Sequence, residues 1–207
     1  MGYLAGTDDE RLADLNAAFQ DEEARPVFTT RGGKGAYRIA ERLDLNALRR
    51  DPKPLVGFSD IANLHVAIYR HTGVSGVHGA IFGPDGSTNE RALRDALMGR
   101  HDIVVVARAE EITAAVTQPG VTHGRLLGSN LDAIATAAGW ALPSLRGAIL
   151  LLEAVNMGIG QVDRQLTMLT KAGPLSGVVG VALVSSRALT SAAHTTSSTC
   201  SRAICTH

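Results

Sequence analysis

Short apolar runs of strand length alternate along the chain with stretches whose apolar residues recur every three or four positions. The runs are Pro26 to Thr29, Pro54 to Phe58, Ile103 to Ala107, Ala148 to Leu152 and Val178 to Val184. Three helices stand out between them. Thr7 and Glu10 have the capping-box spacing ahead of Leu12, Leu15 and Phe19, which share one helical face. Ser87 and Glu90 repeat that spacing ahead of Leu93 and Leu97. Ile61, Leu64, His65 and Ile68 share a face of a helix over Asp60 to His71, which Gly73 closes. Strands alternating with helices predict an α/β protein with largely parallel sheets. The pattern further predicts a first domain over 1–108 and a linker over 109–122 marked by Gln118, Pro119 and Gly120. A second domain follows over 123–184.

Composition changes this picture at one end. All twenty acidic residues lie between Asp8 and Asp163, and 11 of the 23 residues from Ser185 to His207 are Ser or Thr. That segment has neither strand nor helix periodicity, so 185–207 reads as a Ser/Thr-rich tail outside the fold and is expected to be disordered. It also holds both cysteines, Cys200 and Cys205, at a spacing that suits neither a redox pair nor a zinc site. Across the whole chain 20 Lys and Arg balance 20 Asp and Glu, without a basic block. The balance argues against nucleic acid or an anionic membrane as a partner. The apolar runs are far shorter than the roughly 20 residues of a membrane-spanning helix, and the N-terminus lacks the pattern of a secretory signal. A cytoplasmic location is expected.

Three places could carry chemistry. In Val56-Gly57-Phe58-Ser59-Asp60-Ile61 a strand passes into a helix through one serine. This reads either as a nucleophile elbow, which lifts a hydroxyl over the sheet edge, or as an ordinary helix N-cap. Arg31-Gly32-Gly33-Lys34-Gly35 is a glycine loop that can aim backbone amides at an anion, or simply make a tight turn; it lacks the Lys-Ser/Thr pair of a P-loop. Glu153 ends the apolar run Ala148 to Leu152, at the strand end where parallel sheets meet ligands, or is a salt-bridged surface acid. Of the seven histidines, His65 reads as a hydrogen-bonded core residue, His71 as a helix-end cation and His78 as a residue following a short strand, near a site. His101 and His123 fall in loops, and His194 and His207 in the tail. No pair has metal-ligand spacing, so no metal is expected.

Taken in order, six segments resemble the LD-carboxypeptidase family of serine peptidases, which includes muramoyltetrapeptide carboxypeptidases and microcin immunity proteins. They are GYLAGTDDERLADLNAAF at 2–19, RGGKGAYR at 31–38, KPLVGFSDIANLHVAIYRHTG at 53–73, VHGA at 77–80, HGRLLGSNL at 123–131 and GAILLLEAVNMGIGQVDRQLTMLTKAG at 147–173. The resemblance implies a flavodoxin-like or Rossmann-like parallel-sheet N-terminal domain followed by a second α/β domain. It implies Ser59 as nucleophile and Glu153 as the triad carboxylate, with backbone amides of Asp60 and Gly33 as the oxyanion hole. Lys34 stands where the family commonly has an aromatic residue, and Ala154 and Met157 where it often has acids. The implied activity is cytoplasmic cleavage of the L,D peptide bond before a terminal D-amino acid of muropeptides, in cell-wall recycling. It needs no cofactor, and relatives imply a homodimer of the complete form. A microcin-immunity-like amidase is the alternative activity.

Relatives begin with a further strand and helix and continue past residue 184 to a Gly-His motif that supplies the triad histidine. No histidine of this sequence matches that motif. The sequence therefore reads as truncated at both ends, either a frame-shifted gene fragment or a natural short variant. Seventeen of the twenty basic residues are Arg, as in GC-rich coding sequence. On this reading the chain is a non-catalytic remnant or ligand-binding fragment, with uncovered sheet edges and poor solubility.

Overall fold

In the computed structural model, residues 2–80, 90–99 and 116–184 are described. They divide into two compact units, one of 2–80, 90–99 and Gly139–Pro143, the other of 116–138 and 144–184.

The first unit opens with α1, Asp8–Gln20. Its N-terminus is fixed by the expected capping box: Thr7 Oγ1 accepts from the Glu10 amide (3.2 Å) and Glu10 Oε2 accepts from the Thr7 amide (2.8 Å). The apolar face ends in Phe19, which is fully buried. The three strands β1 (Val27–Phe28), β2 (Leu55–Gly57) and β3 (Val77–His78) make a parallel sheet in that order. The first two are linked through α2, Leu45–Arg50, capped by Asp44. The last two are linked through α3, Ala62–Thr72, and α4 (Glu90–Met98) comes after the sheet. Every residue of β2 is buried, as are Leu64, Val66, Ala67 and Ile68 of α3. The central strand thus carries the core, and the turn that leaves it has a firm base. Lys53, just before β2, is buried; its Nζ donates to the carbonyl of Asp21 beyond α1 and pairs with Asp51 at 3.0 Å.

The second unit holds β4 (Arg125–Asn130), α5 (Leu131–Ala137), β5 (Ala148–Glu153), α6 (Ile159–Ala172) and β6 (Gly180–Leu183). Its sheet is parallel throughout, in the order β4-β5-β6. Ile134, Ala137, Leu145, Ala148, Leu150 and Leu169 form its core. The class is therefore α/β with two parallel-sheet units, as the alternation of patterns predicts.

Several boundaries differ from expectation. The strand read over Pro26 to Thr29 is reduced to two residues, because Pro26 has no amide to donate; pairing still runs on through Thr29 N to Val56 O (2.9 Å). The helix read from Asp60 opens instead with a 3₁₀ turn, Ser59–Ile61, before α3 begins. Gly73 closes it in left-handed backbone (φ 75°), as expected. His78 lies within β3 rather than after a strand. The run Ile103 to Ala107, Ser87, and the tail 185–207 with its cysteines lie outside the described residues. None of the described helices is long and apolar enough to cross a membrane.

Candidate active site

The carboxyl end of β2 delivers Ser59 into an unusual backbone state. Its φ is 57°, a left-handed conformation that costs a non-glycine residue about 1–3 kcal/mol. Packing on both sides enforces the turn. A Cβ on Gly57 would lie 2.3 Å from Thr29 Oγ1 and 2.7 Å from Ile61 Cγ2, so the neighbours leave no room for a side chain at the end of the strand. After Ser59 the chain enters the 3₁₀ turn, where the Ile61 amide donates to Phe58 O (3.3 Å). The N-cap alternative fails, because Phe58 and Ile61 occupy the cap positions of the 3₁₀ turn and α3, with no side-chain cap bond at either. Among the described residues Ser59 Oγ has no hydrogen-bond partner, and the residue is half-buried. A strained serine with an unengaged hydroxyl at a strand-to-helix turn is the geometry of a nucleophile elbow.

The glycine loop comes up against this serine. A Cβ on Gly32 would lie 2.8 Å from Ser59 Cβ and 3.1 Å from Phe58 O, so loop backbone packs directly on the elbow. Asp60 locks the two together. Its Oδ2 accepts from the Ala36 amide (2.8 Å), and Asn63 Nδ2 donates to both Asp60 Oδ1 and Asp60 O (3.1 Å each). From the far side Arg11 donates to Gly35 O (3.3 Å) and pairs with Asp8 (2.7 Å). Gly33 (φ 122°) is exposed, with open space where a Cβ would stand. Ser59, Asp60 and the loop carrying Gly33 are therefore one assembly. Glu153 belongs to the second unit, at the carboxyl end of β5, half-buried and in register with Asn130.

The described histidines divide by environment. His65 Nε2 lies 3.0 Å from Leu55 O, and burial, reinforced by the nearby charge of His78, pushes its pKa down from 6.5 to about 4. It is the neutral core residue the sequence suggests. His78 is exposed, edge-on to His65 with ring centres 6.5 Å apart, and is the register partner of Gly57. His71 lies in the last turn of α3 and His123 in an exposed segment before β4. His101, His194 and His207 fall outside the described residues. The parts played by Gly57, Gly32, Thr29 and Asn63 in shaping the elbow do not stand out in the sequence. The glycine two places before the serine and the paired glycines of the loop are the signals that could reveal them.

Fold and site together define an α/β protein of parallel-sheet units, one bearing a serine in the elbow geometry. The chain belongs to the LD-carboxypeptidase family: the family's N-terminal domain matches residues 1–79 and its C-terminal domain residues 123–206. The second match runs past residue 184 into the Ser/Thr-rich segment. A "probable murein peptide carboxypeptidase" of Bacillus subtilis is 34% identical over 186 residues, covering 87% of this chain and 58% of its own length. A murein tetrapeptide carboxypeptidase of Pseudomonas aeruginosa is 33% identical over 180 residues, 81% of this chain and 57% of that protein. The crystal structure of a muramoyltetrapeptide carboxypeptidase from Oxalobacter formigenes superposes with a TM-score of 0.76 at 25% identity, over 90% of this chain and 64% of that one. The chain thus spans less than two thirds of the length of these relatives.

Proposed function

We propose that this protein belongs to a serine-type carboxypeptidase acting on muropeptides, releasing a terminal D-amino acid from an L,D peptide bond. The observation that carries the reading is Ser59 itself, held at φ 57° with a hydroxyl unengaged among the described residues, inside a family match. Ser59 Oγ attacks the carbonyl carbon before the terminal residue, and a histidine takes the hydroxyl proton and returns it to the leaving amine. The terminal amino acid departs, an ester remains on Ser59, and water hydrolyses it by the same proton route. Glu153 orients that histidine, a role to which no residue of this sequence is assigned. The amides of Asp60 and Gly33 stabilise the negative oxygen of the intermediate. No cofactor takes part in these steps, and the reading places them in the cytoplasm, in cell-wall recycling.

The test is release of D-alanine from a muropeptide tetrapeptide by this sequence carried in a protein of its relatives' full length. Ser59→Ala is expected to lower release by at least ~10³-fold, and a fluorophosphonate is expected to label Ser59 stoichiometrically. Equal turnover by Ser59→Ala, or labelling elsewhere, overturns the assignment.

A further inference from the structure

Resting on that reading of Ser59, we propose that Arg31 and Lys34 form a cationic clamp that takes the free terminal carboxylate of the residue being released. An enzyme that removes only a last residue must recognise a chain end, and the feature that marks the end is its carboxylate. In such a substrate the carboxylate is one α-carbon beyond the scissile nitrogen. Its receptor must then stand within about one residue's length, ~3.8 Å, of the point of attack.

The glycine loop packs on the nucleophile. A Cβ on Gly32 would meet the Ser59 side chain, and Arg31 and Lys34 are the residue before Gly32 and the second residue after it on that stretch of backbone. The loop is held in place by Asp60 at Ala36 and by Arg11 at Gly35. Both cations are exposed, and neither has a hydrogen-bond or ion-pair partner among the described residues.

This sets them apart from the other basic side chains of residues 2–80. Arg11 and Arg38 pair with Asp8, Arg25 and Lys53 with Asp51, and Arg42 with Asp9. Arg49 donates to Asn46 and to His71 O, Arg70 donates to Leu142 O, and Arg50 stands in the field of Asp44. The acid nearest the elbow, Asp60, is engaged by Ala36 and Asn63. Two like charges three residues apart on a fixed loop repel each other, and an anion between them relieves that repulsion. A guanidinium receives a carboxylate through two parallel hydrogen bonds and an ammonium adds a point charge, so the pair suits a terminal carboxylate better than a neutral end.

The experiment measures equilibrium binding to the non-turnover Ser59→Ala chain by calorimetry, using a tetrapeptide ending in D-alanine as free acid and as C-terminal amide. These ligands differ only in the terminal charge. The free acid is expected to bind ~10- to 100-fold tighter, as for hydrogen bonds to a charged group, and this preference should weaken with added salt. Arg31→Met/Lys34→Met should bring the ratio close to one while leaving amide binding unchanged, and Lys34→Arg should keep most of it. A parent without the preference, or a double variant that retains it, overturns the clamp. Turnover of the free acid is read separately, in a protein of the relatives' full length that carries Ser59. Its absence overturns the carboxypeptidase reading, whereas the acid-to-amide ratio still reports on the clamp.

Discussion

His65 and Ser59 show how a single position can depart from its residue type's habit and what the departure costs. Ser59 is strained by its neighbours; His65 is deprived of its charge by its surroundings. Because burial lowers the His65 pKa from 6.5 to about 4, the unfolded chain binds more protons at that site than the folded one between those values. Stability from this site is complete above pH 6.5, falls as pH drops towards 4, and changes no further below that. The shift corresponds to about 3 kcal/mol over the window. Asp8 follows the usual carboxylate sign: Arg38 and Arg11 hold it at about 2, so its contribution is present above pH 3.8 and disappears as pH falls through 2. The two windows are separate, which allows each to be read alone. Thermal melts between pH 7 and 4.5 should show a marked loss for the parent chain and a much smaller one for His65→Leu. An equal loss in both would mean that another group sets the acid limit.

At the scale of elements, the elbow and the glycine loop act as one piece because Asp60 bridges them. Removing that carboxylate leaves the Ala36 amide without its acceptor and Asn63 Nδ2 with only the Asp60 carbonyl, a loss of about 1.5–3 kcal/mol for bonds to a charged group. Asp60→Ala should therefore lower the denaturant midpoint and slow fluorophosphonate labelling of Ser59, with Asp60→Asn intermediate since its amide oxygen can still accept. A stable Asp60→Ala chain that labels at the parent rate would show that the loop needs no such anchor. Elements of this kind are unequally legible in the sequence. The capping residues Thr7 and Glu10 and the closing Gly73 announce α1 and the end of α3, because local chemistry alone sets those boundaries. β4 gives no such signal: Leu126 and Leu127 are followed at once by Gly128, and the strand exists through its pairing with β5 rather than through its own pattern. Ser59 is visible as a choice between cap and elbow. Only tertiary crowding from Thr29, Gly32 and Ile61 decides it, and that crowding has no sequence period.

Over the whole molecule the two sheets differ in how completely they are enclosed. In the first, every residue of β2 is buried and α3 packs its apolar face into the same core. In the second, all four residues of β6 are only half-buried, the first two residues of β4 are exposed, and Leu126 keeps 64% of its surface in water. Val179 and Val184, which flank β6, are likewise exposed. Apolar area left in contact with water contributes nothing to stability, at about 25 cal/mol for each Å² not buried. Local opening therefore costs less where strands are half-covered. Hydrogen exchange should find the slowest amides in β2 and α3, and faster exchange in β4 and β6, although the second sheet has the longer strands and the more extensive ladder. Ladder length and burial thus predict opposite orders, and mass-resolved exchange on peptides spanning 55–72, 125–130 and 180–183 chooses between them. Protection in β4 and β6 equal to that of β2 would mean that something beyond the described residues covers the second sheet.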